Sequence, residues 1–530
     1  MRRAHAVVAV LTLSMIALPS CKGDQAGSGG QAGRDTSSTL PDTTCADPSK
    51  WNQLCSTIPH EVMVTLGGDY HGLVPATQTR FDSFSWQSFV ALNWPSDSAG
   101  NPLPGSFTDS PNAPRVWEGW TNASTLFYGD SAIGPCAAQL RSLPAGGPRK
   151  VLMQMAKNGQ VINPHATFDE AVGGPLLDRN LNFVLFEKVV SPDEAAYVRD
   201  SSLTTVAGQE AIDTVNFPPG FYADKKLMTG GQVGSVEVKA AWRILEPASG
   251  DDTTRYYHQQ ALIAVPAENS ATGQPFCISA MVGLVGLHII HKTQDFPAWV
   301  WSTFEHEDNA PTCAAGAASC GDSTVRYSFF NAACTGCQLN TPLRDNTFLN
   351  DSSFIWNTSP PYGSRYAVDS LYGSQITRVE PVYVPTDSMN VMWRAKIGNS
   401  VWSHYRLIGS QWQATVPGPT PQISQAPPIL GNTALESFIP TTSDCIGCHT
   451  FATTAGTPAK FADFSFLLGM AGQKPMSMMA PFFMQVPGRR LGRPAPAVVV
   501  PDARRAAPTA RPAPAPPAPP ATPPARPRRR

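Results

Sequence analysis

Cys445-Ile446-Gly447-Cys448-His449 constrains this chain more than any other stretch. Two thiols three positions apart, followed at once by a histidine, form the C-x-x-C-H pattern of covalent c-type haem attachment. The spacing suits the chemistry, because the thiols meet the two porphyrin vinyl groups as thioethers and the adjoining imidazole lies under the iron. The pattern predicts one haem c, bound through Cys445 and Cys448, with His449 as proximal iron ligand. It also limits the fold. Fewer than forty residues, 450–485, separate the motif from a low-complexity tail. That is short for a complete small cytochrome domain, so the chain before the motif must cover part of the haem.

The competing reading is a zinc or disulfide half-site beside an incidental histidine. Zinc would need a second pair of ligands at matching spacing. Cys334-Thr335-Gly336-Cys337 could supply one, but a four-cysteine zinc site suits an oxidising compartment poorly. Gln338 follows Cys337 where a second haem would need histidine. No thioredoxin-like βαβ pattern surrounds this pair, so a structural disulfide is the expectation there.

The compartment is read from the N-terminus. Arg2 and Arg3 precede an apolar run from Ala6 to Leu18, the form of an export signal and too short for a spanning helix. It ends in Leu18-Pro19-Ser20-Cys21, which looks like the lipobox of bacterial lipoproteins and nominates Cys21 for lipidation. Residues 1–20 then form the signal peptide, and the Gly/Ser/Gln-rich residues 21–44 a flexible tether. Lys22 after the acylated position implies the outer membrane. The expectation is a periplasmic, lipid-anchored protein. Eight of the 11 cysteines remain after Cys21, Cys445 and Cys448 are set aside, enough for four disulfides. Cys45–Cys55 is the expected local bridge, and Cys313, Cys320, Cys334 and Cys337 are expected to staple one loop region among themselves.

The chain is 42% hydrophobic and 15% charged, the balance of a folded body rather than a disordered chain. Its formal charge of −1 conceals a basic end: ten arginines and one aspartate from Pro487 to Arg530 give +9, leaving −10 for the rest. The body therefore offers no nucleic-acid signal. Residues 486–530 read as a disordered Pro/Ala/Arg-rich tail.

Between tether and tail the pattern is α+β. Thr77 to Trp94 has the three-to-four spacing of an amphipathic helix, ended by Pro95. Val233 to Leu245, Tyr256 to Val265, Ala280 to Ile290, Trp299 to Phe304 and Val401 to Ile408 read as strands of an antiparallel sheet or sandwich. These belong to a β-rich body, residues 45–430. A short helical haem segment, residues 431–485, follows, with helices expected at Asn432 to Ile439 and Ala459 to Ala471.

The sixth iron ligand separates a carrier from a catalyst. Candidates are His306, His288 and Met470, with Met476, Met478, Met479 and Met484 further along. The Trp/His-rich run Trp299 to His306 holds His306 beside Glu305 and Asp308.

The stretches SFSWQSFVALNWP, VEVKAAWRIL, GLHIIHKTQDFPAWVWSTFEHEDNAP, TALESFIPTTSDCIGCHT and ADFSFLLGMA resemble bacterial cytochrome c family proteins of a monohaem C-x-x-C-H group. They spread from about residue 80 to 470. The resemblance implies one haem c at Cys445, Cys448 and His449 beside a large β-rich domain, and no particular activity. The leading expectation is electron transfer outside the cytoplasm to or from a redox partner protein, with the membrane reached through the lipid anchor. The alternative is a haem-dependent oxidoreductase, peroxidase- or oxygenase-like, with its substrate pocket in the body and Trp299 to His306 lining it. Its motive is a body far larger than one haem requires. A third reading makes the body a binding module.

Overall fold

The computed structural model describes residues 53–64, 75–143, 150–152, 176–313, 320–322, 324–342, 355–363, 372–416 and 422–472. The expected export signal, Cys21, the expected tether, Cys45, the methionines from Met476 onward and the basic tail lie outside the described residues. All described residues belong to one compact unit. Along the chain come α1 (Pro75–Leu92), β1 (Thr121–Asn122), α2 (Ala123–Tyr128), α3 (Ala137–Ser142), β2 (Val151–Leu152), β3 (Leu185–Val190), α4 (Pro192–Asp200) and α5 (Val206–Ala211). There follow β4 (Val236–Ile244), β5 (His258–Val265), β6 (Phe276–His291), β7 (Val300–His306), α6 (Val384–Ile397), β8 (Tyr405–Val416), β9 (Gln422–Ala426) and α7 (Cys445–His449). Among the described residues no helix is long and apolar enough to cross a membrane.

The body is β-rich, and its strands join in one nine-stranded sheet rather than a sandwich of two. The main order is β1-β3-β4-β6-β7-β8-β9, every neighbouring pair antiparallel. The long β6 pairs with β5 along its first half and with β4 and β7 along its second, and β2 adds a short parallel pairing to β5. The alternation read in Val236 to Trp242 decides which face each residue serves. Val236, Val238, Ala240 and Trp242 join Leu185, Val189, Leu287, Ile289, Phe304 and Leu407 in the main core.

That core is closed by two helices. Trp86, Phe89 and Val90 of α1 and Trp393 of α6 pack into it. The sequence pattern makes α1 an amphipathic helix, but it is buried nearly all round, with Gln78, Asp82 and Ser85 inside as well. Its polar residues are tolerated because they are hydrogen-bonded. The Asp82 carboxylate accepts from Thr386 Oγ1 (2.6 Å), Ser410 Oγ (2.8 Å) and Gln78 Nε2 (2.9 Å), and Ser85 Oγ meets Ser302 Oγ at 2.6 Å.

Residues 430–472 cross the opposite sheet face, which presents Glu237 and Lys239 of β4. Cross-strand register sorts that face into rows: Val190–Glu237–Ile290–Trp301–Gln411, then Lys188–Lys239–His288–Thr303–Gly409. The segment is anchored row by row. Ser465 Oγ donates to Glu237 Oε1, Ile446 N–H donates to Gln411 Oε1 (2.8 Å), and Asn432 Nδ2 donates to Thr303 Oγ1 (3.0 Å). Thr433 donates through N–H (3.0 Å) and Oγ1 (2.8 Å) to Glu305 Oε2.

Two helix expectations change here. Residues 432–439 form a chain of turns, with Asn432 Oδ1 accepting from Ala434 N–H at 2.9 Å. Residues 459–465 are irregular, and a helical turn begins only at Phe466. The apolar spacing that suggests a helix arises instead from turns that bury Ala462, Leu467 and Leu468.

Disulfides Cys313–Cys320 and Cys334–Cys337 pair locally, as expected for that loop region. Cys136–Cys277 ties the α2–α3 region to the start of β6 across 141 positions. Cys55 is also in a disulfide.

Candidate haem centre

The attachment motif is α7 itself. Asp444 precedes it and caps the helix by accepting from Gly447 N–H at 3.0 Å. A Cβ on Gly447 would stand 2.1 Å from the capping carboxylate, so the second x of the motif has no room for a side chain while the cap is made. Ile446, the first x, is the helix's buried anchor. It packs with Val190, Val198, Leu203, Phe217, Trp299, Trp301 and Leu468 in a second apolar cluster on this sheet face. Cys445 and Cys448 are thiols and, with His449, stay partly exposed at the surface.

His449 is oriented from three sides. Its Nδ1 donates to Phe464 O at 2.7 Å, which assigns the proton to Nδ1 and the lone pair to Nε2. The Trp301 ring lies 4.3 Å from the imidazole, centre to centre, and Phe466 meets it edge-on at 4.8 Å. A metal-bound histidine ordinarily has its other ring nitrogen fixed in this way by a carbonyl or carboxylate. The residues present therefore fit a haem c: two thiols for thioethers and an imidazole whose tautomer suits iron ligation through Nε2.

The carbonyl that holds His449 comes from a left-handed turn. Asp463 (φ 52°) and Phe464 (φ 67°) both occupy the region that side chains disfavour. Hydrogen bonds keep them there. Asp463 O accepts from Trp299 Nε1 at 2.9 Å, and its carboxylate accepts from Phe217 N–H at 2.8 Å and from Lys292 Nζ. Lys292 also donates to Asn216 Oδ1 at 2.7 Å. Burial raises the Asp463 carboxyl, and the Lys292 ammonium opposes the rise.

The candidate distal ligands fall in different places. Met470 packs against the same apolar cluster as Cys445, and its backbone oxygen accepts from Tyr128 OH at 2.8 Å. His288 stands in the second row of the same sheet face, its Nε2 3.3 Å from Glu436 Oε2. His306 is wholly buried with both ring nitrogens occupied: Nε2 donates to Arg255 O (2.9 Å), and Nδ1 accepts from Asp308 N–H (3.1 Å). Its ring stacks on Tyr256 at 4.1 Å. Burial lowers its pKa to about 4, so it is neutral at pH 7. The Trp/His run thus borders the motif through Trp299 and Trp301, both buried, rather than through its histidine.

Several residues at the centre were not legible in the sequence. Gln411, Phe464 and Ser465 act through hydrogen bonds that only the fold creates. Asp463 left a faint signal, a charge between apolar Ala462 and Phe464, and the structure pairs it with Lys292. Among the described residues no three His, Cys, Asp or Glu side chains converge on a common metal position. A haem takes a single nitrogen from its attachment motif, so that geometry bears on zinc rather than on haem. Compared with protein-family models, curated proteins and solved structures, the chain matches none.

Proposed function

We propose that this chain is a monohaem c-type cytochrome that carries electrons outside the cytoplasm. The observation that carries the reading is His449, presented on a capped helix directly after two partly exposed thiols and fixed through Nδ1 by the Phe464 carbonyl. Cys445 and Cys448 would hold the haem, and His449 would ligate its iron. When bound, the haem supplies a one-electron redox couple. The chain's own residues orient the imidazole, seat α7 through Ile446 and leave the motif at the surface, where a redox partner protein can approach. The sequence resemblance to bacterial cytochrome c family proteins and the long-range Cys136–Cys277 disulfide both suit an exported protein. The anchor proposed at Cys21 would tether it to the outer membrane.

Expression with a c-type maturation system tests the reading. The expected product keeps its haem through denaturation, and Cys445→Ser with Cys448→Ser abolishes that attachment. A matured, folded chain without covalent haem sinks the proposal. Spectra of the same sample separate carrier from oxidoreductase. A six-coordinate, low-spin haem indifferent to cyanide and carbon monoxide supports the carrier; a high-spin haem that binds either ligand supports the alternative.

A further inference from the structure

Glu194 is the most anomalous side chain on the haem-segment face of the sheet. It lies on α4, is completely buried, and neither of its carboxyl oxygens has a hydrogen-bond donor. The group it faces is a second carboxyl, that of Glu237 on β4. Sealed from water beside that charge, the Glu194 carboxyl keeps a proton, which it can donate to Glu237. The two differ in access: Glu237 is only partly buried, whereas Glu194 is sealed. A proton can therefore reach the pair from solvent through Glu237.

The pair is also wired to the motif. Glu237 Oε1 accepts from Ser465 Oγ, and the Ser465 nitrogen shares a peptide unit with the Phe464 carbonyl that holds His449 Nδ1. We propose that Glu194 and Glu237 form a proton-binding pair coupled to the redox state of the group held by Cys445, Cys448 and His449. The pair takes up one proton from solvent when a partner delivers one electron to the motif, and returns it when the electron leaves. The redox half of this inference rests on the haem reading above.

The surrounding charges favour it. Burial first, then the Glu237 charge and then that of Asp463, raise the Glu194 carboxyl well above the usual carboxylate range. On α4 itself, Asp193 accepts from Gly234 N–H and Arg199 donates to Thr121. Lys292 is bound to Asp463 and Asn216. Lys188 and Lys239 stand in the next row of the sheet. An added negative charge at the motif raises the pair's proton affinity, and by reciprocity the bound proton favours reduction. The haem is then easier to reduce at low pH.

The test uses the full haem-loaded chain, titrated spectroscopically from about pH 5 to 9. The wild-type reduction equilibrium constant is expected to fall by up to about tenfold per pH unit over the window in which the pair loses its proton. Glu194→Gln should flatten that slope. Reduced-minus-oxidised infrared spectra should show a protonated carboxyl band that Glu194→Gln removes. Equal slopes in wild type and variant, or no carboxyl band, overturn the proposal. Should Glu194→Gln fail to fold, Ser465→Ala breaks the hydrogen bond that links the pair to the Phe464 peptide and should flatten the slope; an unchanged slope counts against the coupling. A chain lacking covalent haem removes the haem reading and the coupling together, whereas a haem-loaded chain with a pH-independent potential removes the coupling alone.

Discussion

Glu305 shows how single side chains bind residues 430–472 to the sheet. It is buried on β7, paired with Arg378 and with Arg406 (2.9 Å), and accepts two hydrogen bonds from Thr433. Burial alone would raise its carboxyl, but the two guanidinium groups and the Thr433 amide bring its pKa down to about 2. Arg378 is equally buried, so removing the Glu305 charge strands a cation inside the protein. Glu305→Gln is therefore expected to lose about 3 to 5 kcal/mol of stability, the usual cost of breaking one side of a buried pair. Urea unfolding at neutral pH measures it, and a loss under about 1 kcal/mol would show that the network contributes little. The sequence puts Glu305, like Asp308, close to His306. The structure turns Glu305 away from that histidine, because residues adjacent on a strand point to opposite faces.

At the scale of elements, the covalent staples differ in what they close. Cys136–Cys277 spans 141 positions, while Cys313–Cys320 spans 7 and Cys334–Cys337 spans 3. Loop-closure entropy then predicts a loss of about 5 kcal/mol for Cys136→Ala/Cys277→Ala and about half that for Cys313→Ala/Cys320→Ala. Thermal unfolding of the two double variants tests the ranking, and equal losses would refute it. Local pairings such as Cys334–Cys337 could be read from spacing, but the Cys136–Cys277 bridge could not, because strand pairing and not sequence brings its ends together. Strands β4 to β8 were legible, β4 from its alternation in Val236 to Trp242 and the others as β-branched and aromatic runs, whereas the short β1, β2, β3 and β9 were not. The partial exception was Val401 to Ile408, whose first four residues form a 3₁₀ turn before β8 begins at Tyr405. What misled was apolar spacing without a backbone signal. In residues 459–471 it imitated a helix, although Asp463 and Phe464 take a left-handed turn that neither residue type announces. The motif could be read in full, but the Phe464 carbonyl that orients His449 could not, since any residue can offer a backbone carbonyl.

Across the whole molecule, buried ionisable groups oppose one another over one range of pH. Burial lowers His291 and His306 to about 4 each, so both are neutral at pH 7. Below about pH 6.5 the unfolded chain takes up protons that these histidines refuse, which removes about 3 kcal/mol per histidine by pH 4. Burial also raises Asp82 and Asp178 to about 6 each. Their folded forms bind protons before the unfolded chain does, so acidification through the same range restores about 3 kcal/mol per carboxyl. The two pairs offset each other from about pH 6.5 to 4, while the raised Glu194 carboxyl adds stability as the pH falls. Below that, Glu305 begins to lose its advantage and stability falls. Removing one side exposes the other. His291→Gln/His306→Gln should cost stability at neutral pH, since His306 fills two hydrogen bonds, yet its stability should rise as pH falls toward 4. Asp82→Asn should instead lose ground to the wild type over that range. Urea midpoints of the three proteins at about pH 7, 5.5 and 4 decide it: parallel curves would mean that these buried groups do not set the acid response.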